Sequence, residues 1–507
     1  MAHAGRTITR VLTRSTIYDA IGEIADSRRG ANAPRSLCGR TGVTGWNALW
    51  YNDTHPRIRR IMFKNTVLAI LLSLVFPIAL FSVGSETNDV PKELDAYLAL
   101  PDDSFRWEII EKSEDPNKQT FLVEITSQTW QGIPWKHFML VAVPNRITHP
   151  NHAALILGGS SIGRKPNAGD EFQARSLAEM AGMCTAIILQ IPNQPLFGNF
   201  YEDALIGETL LKALETEDAT WPLLFPMTKS AIRAMDTVQQ ILKEEKHIGI
   251  DRFIVTGTSK RGWTSWLTAA SGDQRVAGII PIVIDTLNMQ EQMKYQVETW
   301  GAFSPSIHDY TERHLIRLDD GELSEFEKNL WTMIDPYFYR ARLTVPKLLI
   351  HGSNDPYWTV DAAKFYFDDL PGEKYILTLP NTGHSLEGQQ LKAVQTAAVF
   401  ARKVAAQKID KGDTLPRLEW KLSEIDKGYK VEIETDISFR RAKLWTAYSA
   451  TKNFRQAKWT NVGVLEGQSP FFFSMAKPES GHVAFFVELE TITEGLPFSL
   501  TTQVWRF

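Results

Sequence analysis

From about residue 152 to residue 407 the chain alternates short, continuous apolar runs with longer amphipathic stretches. The runs His152–Leu157, Ala186–Ile191, Phe253-Ile254-Val255, Gly278–Ile284, Leu348-Leu349-Ile350 and Tyr375–Leu379 have strand length and few polar interruptions, the pattern of strands covered on both faces. Between them, Gly169–Met183, Met227–Glu245 and Gln389–Gln407 read as helices. In the second of these, Ile232, Met235, Val238 and Ile241-Leu242 recur three or four residues apart, which gives one apolar face to lay on a sheet. The alternation predicts an α/β fold for residues 86–407.

The flanks differ. Phe105–Glu111, Thr120–Ser127 and Trp135–Val143 read as antiparallel strands, the first pair turning at Asp115-Pro116-Asn117. After a charged, glycine-containing linker at Lys408–Thr414, the runs Leu418–Ile425, Tyr429–Asp436, Arg441–Tyr448, Ala457–Val464, Pro470–Ala476, Gly481–Glu490 and Leu500–Phe507 predict a β-sandwich-like domain over 415–507. Two connections are long. Asn193–Trp221 is rich in aromatic residues and holds the acidic pair Glu202-Asp203; Thr286–Thr344 is dense in Met, Trp, Tyr and Phe and is expected to form a lid insertion (286–344) in which Met289, Met293, Trp300 and Phe303 pack.

Composition changes the picture only at the N-terminus. A hydrophobic fraction of 43%, a charged fraction of 22% and a net charge of -4 belong to an ordinary globular chain and give no footprint for nucleic acid. Two cysteines, Cys38 and Cys184, are too few for a disulfide framework, and Cys184 stands in an apolar strand-like run where it serves as a small buried hydrophobe. In Met1–Ile61, however, every basic side chain except histidine is arginine, and no packed domain can be derived there. Arg57, Arg59, Arg60 and Lys64 then precede the apolar run Thr66–Val83, followed by small Gly84-Ser85 and by acid. This has the parts of a secretory signal peptide at 62–85, with translation starting at Met62, residues 1–61 as an upstream extension, and a mature N-terminus between Val83 and Asp89. A retained membrane anchor is the rival reading, and a twin-arginine signal at Arg59-Arg60 a weaker one. The expected location is periplasmic or secreted.

Chemistry enters at Asp251–Ala270. Here the strand-like Phe253–Val255 meets a sharp break, Gly257-Thr258-Ser259-Lys260-Arg261-Gly262, and a helical stretch resumes at Trp263. A strand–turn–helix of this kind is the nucleophile elbow of α/β-hydrolases, which exposes a serine hydroxyl and offers the next backbone N–H to an oxyanion. Ser259 is the candidate nucleophile, although Gly262 falls one place later than in G-x-S-x-G and Arg261 stands where a small residue is expected. Asp355 and His384 follow later strands in the order Ser, Asp, His that the fold requires, so His384 is the candidate base and Asp355 the acid that orients it. Asp285, which also follows a strand, is the competing acid. The Lys260 N–H, with Gly159 or Ser160 after the His152–Leu157 strand, would form the oxyanion hole. Glu202 and Asp203 carry two readings: carboxylates that hold a substrate's free amino terminus, or helix-starting acids that favour the dipole. No metal and no organic cofactor is required. The expected ligand is a small-molecule or peptide substrate, with the membrane involved only through an uncleaved N-terminal segment.

The runs Ile191-Pro192-Asn193-Gln194-Pro195-Leu196, Glu202-Asp203-Ala204-Leu205, Thr220-Trp221-Pro222-Leu223, Pro226-Met227-Thr228-Lys229, the elbow Gly257–Trp263, Leu444-Trp445-Thr446-Ala447 and Asn453-Phe454-Arg455 together resemble the PhoPQ-activated pathogenicity-related protein family. The resemblance covers about Glu86–Phe507 and not Met1–Ile61. It implies an exported α/β-hydrolase-fold protein with a C-terminal β domain, linked to bacterial virulence regulation, with Ser259, Asp355 and His384 at the triad positions. The elbow is also similar to that of glucuronoyl esterases, which implies an oxyanion-assisting role for Lys260. Chemistry on an ester or amide is expected; the alternative is a secreted binding or signalling protein on a hydrolase fold that has lost turnover.

Overall fold

The computed structural model describes residues 90–113, 115, 119–317, 323–406, 415–436, 438–467 and 469–507. The expected extension and leader, Cys38, the Pro116-Asn117 turn and the 408–414 linker lie outside the described residues. Residues Asn88–Phe507 form one compact unit.

In chain order the strands are β1 (Arg106–Lys112), β2 (Gln119–Trp130), β3 (Ile133–Val143), β4 (His152–Leu157), β5 (Cys184–Ile188), β6 (Arg252–Thr258), β7 (Val276–Ile282), β8 (Lys347–Gly352) and β9 (Lys374–Leu379). They continue with β10 (Leu418–Ile425), β11 (Gly428–Thr435), β12 (Arg441–Ser449), β13 (Thr460–Leu465), β14 (Phe471–Ala476), β15 (His482–Thr493), β16 (Leu496–Thr501) and β17 (Trp505–Arg506). The α-helices are α1 (Glu93–Leu98), α2 (Ala168–Ala181), α3 (Glu202–Thr216), α4 (Leu224–Lys246), α5 (Lys260–Ala270), α6 (Met289–Trp300), α7 (His308–Thr311), α8 (Glu325–Ile334) and α9 (Gln390–Ala406).

The order β2-β3-β5-β4-β6-β7-β8-β9 forms the body of one sheet, antiparallel up to β5 and parallel from β5 to β9. This is the α/β-hydrolase arrangement. Successive residues of the apolar strands go to opposite faces, as a pleated backbone requires: Phe253 and Val255 join the core under α4 and α5, while Ile254 joins the core under α2 and α9. Both faces are covered, and that is why the strands read as unbroken apolar runs.

Boundaries moved where a local stop signal acts. The helix expected over Gly169–Met183 is α2, capped at its start by Asn167 and stopped by Gly182 at φ 65°, so that the next strand begins at Cys184 instead of Ala186. The long connection Asn193–Trp221 contains α3, a full helix starting at Glu202. Burial pushes the Cys184 thiol up to about 12, consistent with a packing role.

The C-terminal strands form two layers, as expected for a sandwich: β10-β11-β14 face β12, β13 and β15, with Val431, Ile433 and Phe473 packed against Leu444, Phe485 and Val487. The second of these layers is also joined to the first sheet. It continues the central sheet, because β16 lies beside β9 through the pair Thr501–Ile376. Thr501 Oγ1 accepts from the Thr378 N–H at 3.0 Å, and the expected last strand Leu500–Phe507 divides into β16 and β17.

Candidate active site

Ser259 stands between β6 and α5 at φ 58°, ψ -127°, a conformation that L-residues rarely adopt and that neighbouring contacts must hold. Two glycines make room for it. A Cβ on Gly257 would meet the Arg261 backbone at 2.6 Å, and one on Gly262 would meet Ile284 Cγ2 at 2.5 Å and the Gly257 carbonyl at 3.0 Å. Helix α5 therefore crosses the strand ends too closely for any side chain at either place. The shifted glycine of the sequence motif is the one that faces β7.

Arg261 occupies the place where the usual motif has a glycine because its guanidinium ties the elbow down. Nε donates to the Ile191 carbonyl at 2.5 Å, while Nη1 and Nη2 donate to Glu202 Oε2 and Oε1 at 2.5 and 2.6 Å. Its planar fork matches the carboxylate. A Cβ on Gly159 would lie 1.9 Å from Arg261 Nη2, so the small residue at this strand end gives the guanidinium its space. Ser160 Oγ accepts from Gln190 Nε2 at 2.7 Å. The Lys260 N–H opens α5, where no earlier turn of the helix supplies it with a carbonyl.

His384, in the loop after β9, is brought to Ser259: Nε2 and the serine Oγ are 2.9 Å apart. On its other side, Nδ1 lies 2.8 Å from Asp355 Oδ2. Asp355 is buried, and its Oδ1 accepts from the Tyr357 N–H at 2.9 Å, while the Tyr357 ring lies against the imidazole with centroids 4.4 Å apart. Asp285 is not bonded to His384. It lines a cavity behind Asp355 together with His351, and burial raises its pKa.

Glu202 and Asp203 begin α3, and both face the elbow. Lys260 Nζ lies 2.9 Å from Glu202 Oε2 and 3.1 Å from Asp203 Oδ2. Burial would raise the Glu202 pKa, but the hydrogen bonds and charge of Arg261, with the charge of Lys260, hold it well below the usual carboxylate range. Among the described residues no group of three or more His, Cys, Asp or Glu is placed to hold a metal ion.

The supports of the two active-site loops were not found in the sequence. Asn354 Nδ2 donates to the carbonyls of Phe454, Arg455 and Ala457 at 3.2, 3.2 and 2.8 Å. Asn381 exchanges hydrogen bonds with the Trp459 backbone, donating to its carbonyl at 2.9 Å and accepting from its N–H at 2.8 Å. Segment 454–459 of the C-terminal layers thus fastens the loops that carry both Asp355 and His384. The only sequence signal was the loop motif Asn381-Thr382-Gly383-His384 itself. Asn381 sits at φ 59°, where glycine is at ease; Asn381→Gly is therefore expected to keep the backbone and lose the clasp. Its expected effect is a fall in kcat of about tenfold or more with KM little changed, measured by steady-state kinetics on an ester, because a small displacement of a reacting group is costly. An unchanged kcat would show that the loop holds itself.

Comparison with known proteins places the chain. The model of the PhoPQ-activated pathogenicity-related protein family matches residues 94–455. The chain belongs to this family. The autocrine proliferation repressor protein A of Dictyostelium discoideum is 28% identical over 460 residues, 83% of this chain and 89% of that protein. Among solved structures, the acetyl xylan esterase from Paenibacillus sp. R4 matches with a TM-score of 0.44 at 13% identity, over 60% of this family member and 92% of the esterase. Acetyl xylan esterase 1 from Thermoanaerobacterium sp. JW/SL YS485 matches with a TM-score of 0.43 at 16% identity, over 63% and 95%.

Proposed function

We propose that this protein is an exported serine hydrolase that cleaves an ester or amide through an acyl-enzyme. The observation that carries the reading is the continuous hydrogen-bonded chain from Ser259 through His384 to Asp355, with the serine held in a strained turn at the mouth of a pocket. In this mechanism His384 Nε2 takes the proton of the Ser259 hydroxyl as Oγ bonds to the substrate carbonyl carbon. Asp355 keeps the Nδ1–H tautomer in place and stabilises the imidazolium. The Lys260 N–H and that of Gly159 or Ser160 donate to the carbonyl oxygen as it becomes an alkoxide. The imidazolium then protonates the leaving alcohol or amine, and water, activated by the same histidine, releases the acid and restores the serine.

Labelling with a fluorophosphonate probe tests the reading: the folded wild-type chain is expected to be labelled and Ser259→Ala not. Failure of the wild type to label would favour the second reading, a secreted signalling protein without turnover, for which the name of the Dictyostelium relative speaks. Export is tested by sequencing the N-terminus of the protein recovered outside the cytoplasm, expected between Val83 and Asp89. Peptides from residues 2–60 would refute the Met62 start, and an intact apolar run in the membrane fraction would favour an anchor.

A further inference from the structure

Resting on the hydrolase reading, we infer that the pocket at Ser259 takes an electrically neutral ester with an apolar acyl group, and that Glu202-Asp203 turns away a free amino terminus instead of receiving it. The walls are apolar. Trp263 of α5, Ile284, Met289 and Met293 of α6, Ile307, and Trp331 of α8 line the space that opens beside Ser259 and His384. All six are buried, and a substrate group that covers them gains from each square ångström of apolar surface it removes from water.

The polar side of the pocket is balanced and already bonded. Glu202 Oε1 receives Arg261 Nη2 and Gln194 Nε2, each at 2.6 Å, and its Oε2 receives Arg261 Nη1 and Lys260 Nζ at 2.5 and 2.9 Å. Asp203 Oδ1 receives the Tyr310 hydroxyl at 3.0 Å; its Oδ2 receives Lys260 Nζ at 3.1 Å and the Tyr357 hydroxyl at 3.4 Å. Burial raises the Tyr310 pKa far enough to keep this phenol a donor. Two cations face two carboxylates, and every carboxylate oxygen has a donor. A substrate ammonium would be a third cation against two carboxylates whose charge Lys260 and Arg261 already balance, with one open acceptor position, on Asp203 Oδ1, and no unpaired negative charge to meet it. A substrate carboxylate would find the Lys260 ammonium committed to Glu202 and Asp203. A neutral ester meets neither penalty.

Three phenyl esters of nearly equal shape separate these cases: phenyl butyrate, phenyl 2-aminobutyrate with its α-ammonium, and monophenyl succinate with its carboxylate. Each is titrated into full-chain Ser259→Ala protein, and binding is read from the fluorescence of Trp263, Trp331 and Trp358, which line the pocket. Phenyl butyrate is expected to bind at least tenfold more tightly than either charged ester. Equal or tighter binding of phenyl 2-aminobutyrate, or no binding of any of the three, overturns the inference. In the double variant that adds Asp203→Asn, Lys260 loses one counter-charge, so monophenyl succinate is expected to gain at least tenfold relative to phenyl butyrate. Selective loss of the ammonium ester there would instead make the pair its receptor. Should the double variant fail to fold, the ranking in Ser259→Ala alone decides. Because the readout is binding, the ranking stands whether or not the wild-type protein is labelled by the fluorophosphonate probe, which decides the hydrolase reading separately.

Discussion

Ser259→Ala and His384→Ala are each expected to remove nearly all turnover, by about 10⁶-fold in kcat, because the members of such a unit act on one proton and fail together. Asp355→Asn is expected to cost about 10⁴-fold, since an amide facing Nδ1 selects the wrong imidazole tautomer while leaving the geometry in place. Asp285→Asn is the informative control. Both acids follow neighbouring strands, but only Asp355 lies within hydrogen-bond distance of His384, at 2.8 Å, whereas Asp285 is turned into the cavity behind it. Steady-state kinetics on a neutral ester should therefore separate the two asparagine variants by orders of magnitude. Near-full activity in Asp355→Asn with collapse in Asp285→Asn would reassign the acid.

The second large effect is expected in stability and concerns Arg261. Its guanidinium is buried and donates to the Ile191 carbonyl, just past β5, and to both oxygens of Glu202. Arg261→Ala leaves the Ile191 carbonyl without that donor and removes the fork that Glu202 faces, at an expected cost of about 1–3 kcal/mol, because Glu202 is 39% exposed and keeps Lys260 and Gln194. Arg261→Lys is expected to recover only part of this, because an ammonium cannot serve three acceptors in one plane. Denaturant midpoints measure both. The pH dependence has a fixed sign: the folded-state pKa of Glu202 lies below its ordinary 4.5, so the contribution is full above that pH and is lost as the pH falls toward the folded value. A loss below about 1 kcal/mol in Arg261→Ala would mean that Lys260 and Gln194 hold Glu202 without help, leaving the exposed-pair scale of interaction.

Much of the catalytic layer was legible because its physics is local or periodic. Strands covered on both faces must be apolar throughout, and the loops after β6, β8 and β9 converge whatever their sequence separation, so Ser259, Asp355 and His384 could be proposed together from their order, although Asp285 fitted the same order. What stayed hidden is contact between segments far apart in the chain. Nothing at Arg261 announces that its partner is Glu202, 59 residues earlier, and nothing at Asn381 announces Trp459, 78 residues later. The acidic pair was visible, but not the fact that Lys260 and Arg261 already occupy it. The sandwich layers were legible, but not the junction of β16 with β9, because strand patterns carry no information about which neighbour an edge will choose.

That choice of neighbour decides how the molecule can be divided. Without β16, strand β9 would end the parallel sheet in a row of unpaired N–H and C=O groups, the kind of edge that recruits strands from other molecules. Phe498 and Leu500 of β16 complete the apolar layer shared with α9, so a chain cut after Ala406 would uncover that layer together with the edge. Such a cut is expected to leave an aggregation-prone remnant and not a smaller folded protein. The α/β layers and the strands after Leu415 are thus to be expressed, crystallised or exchanged between relatives together.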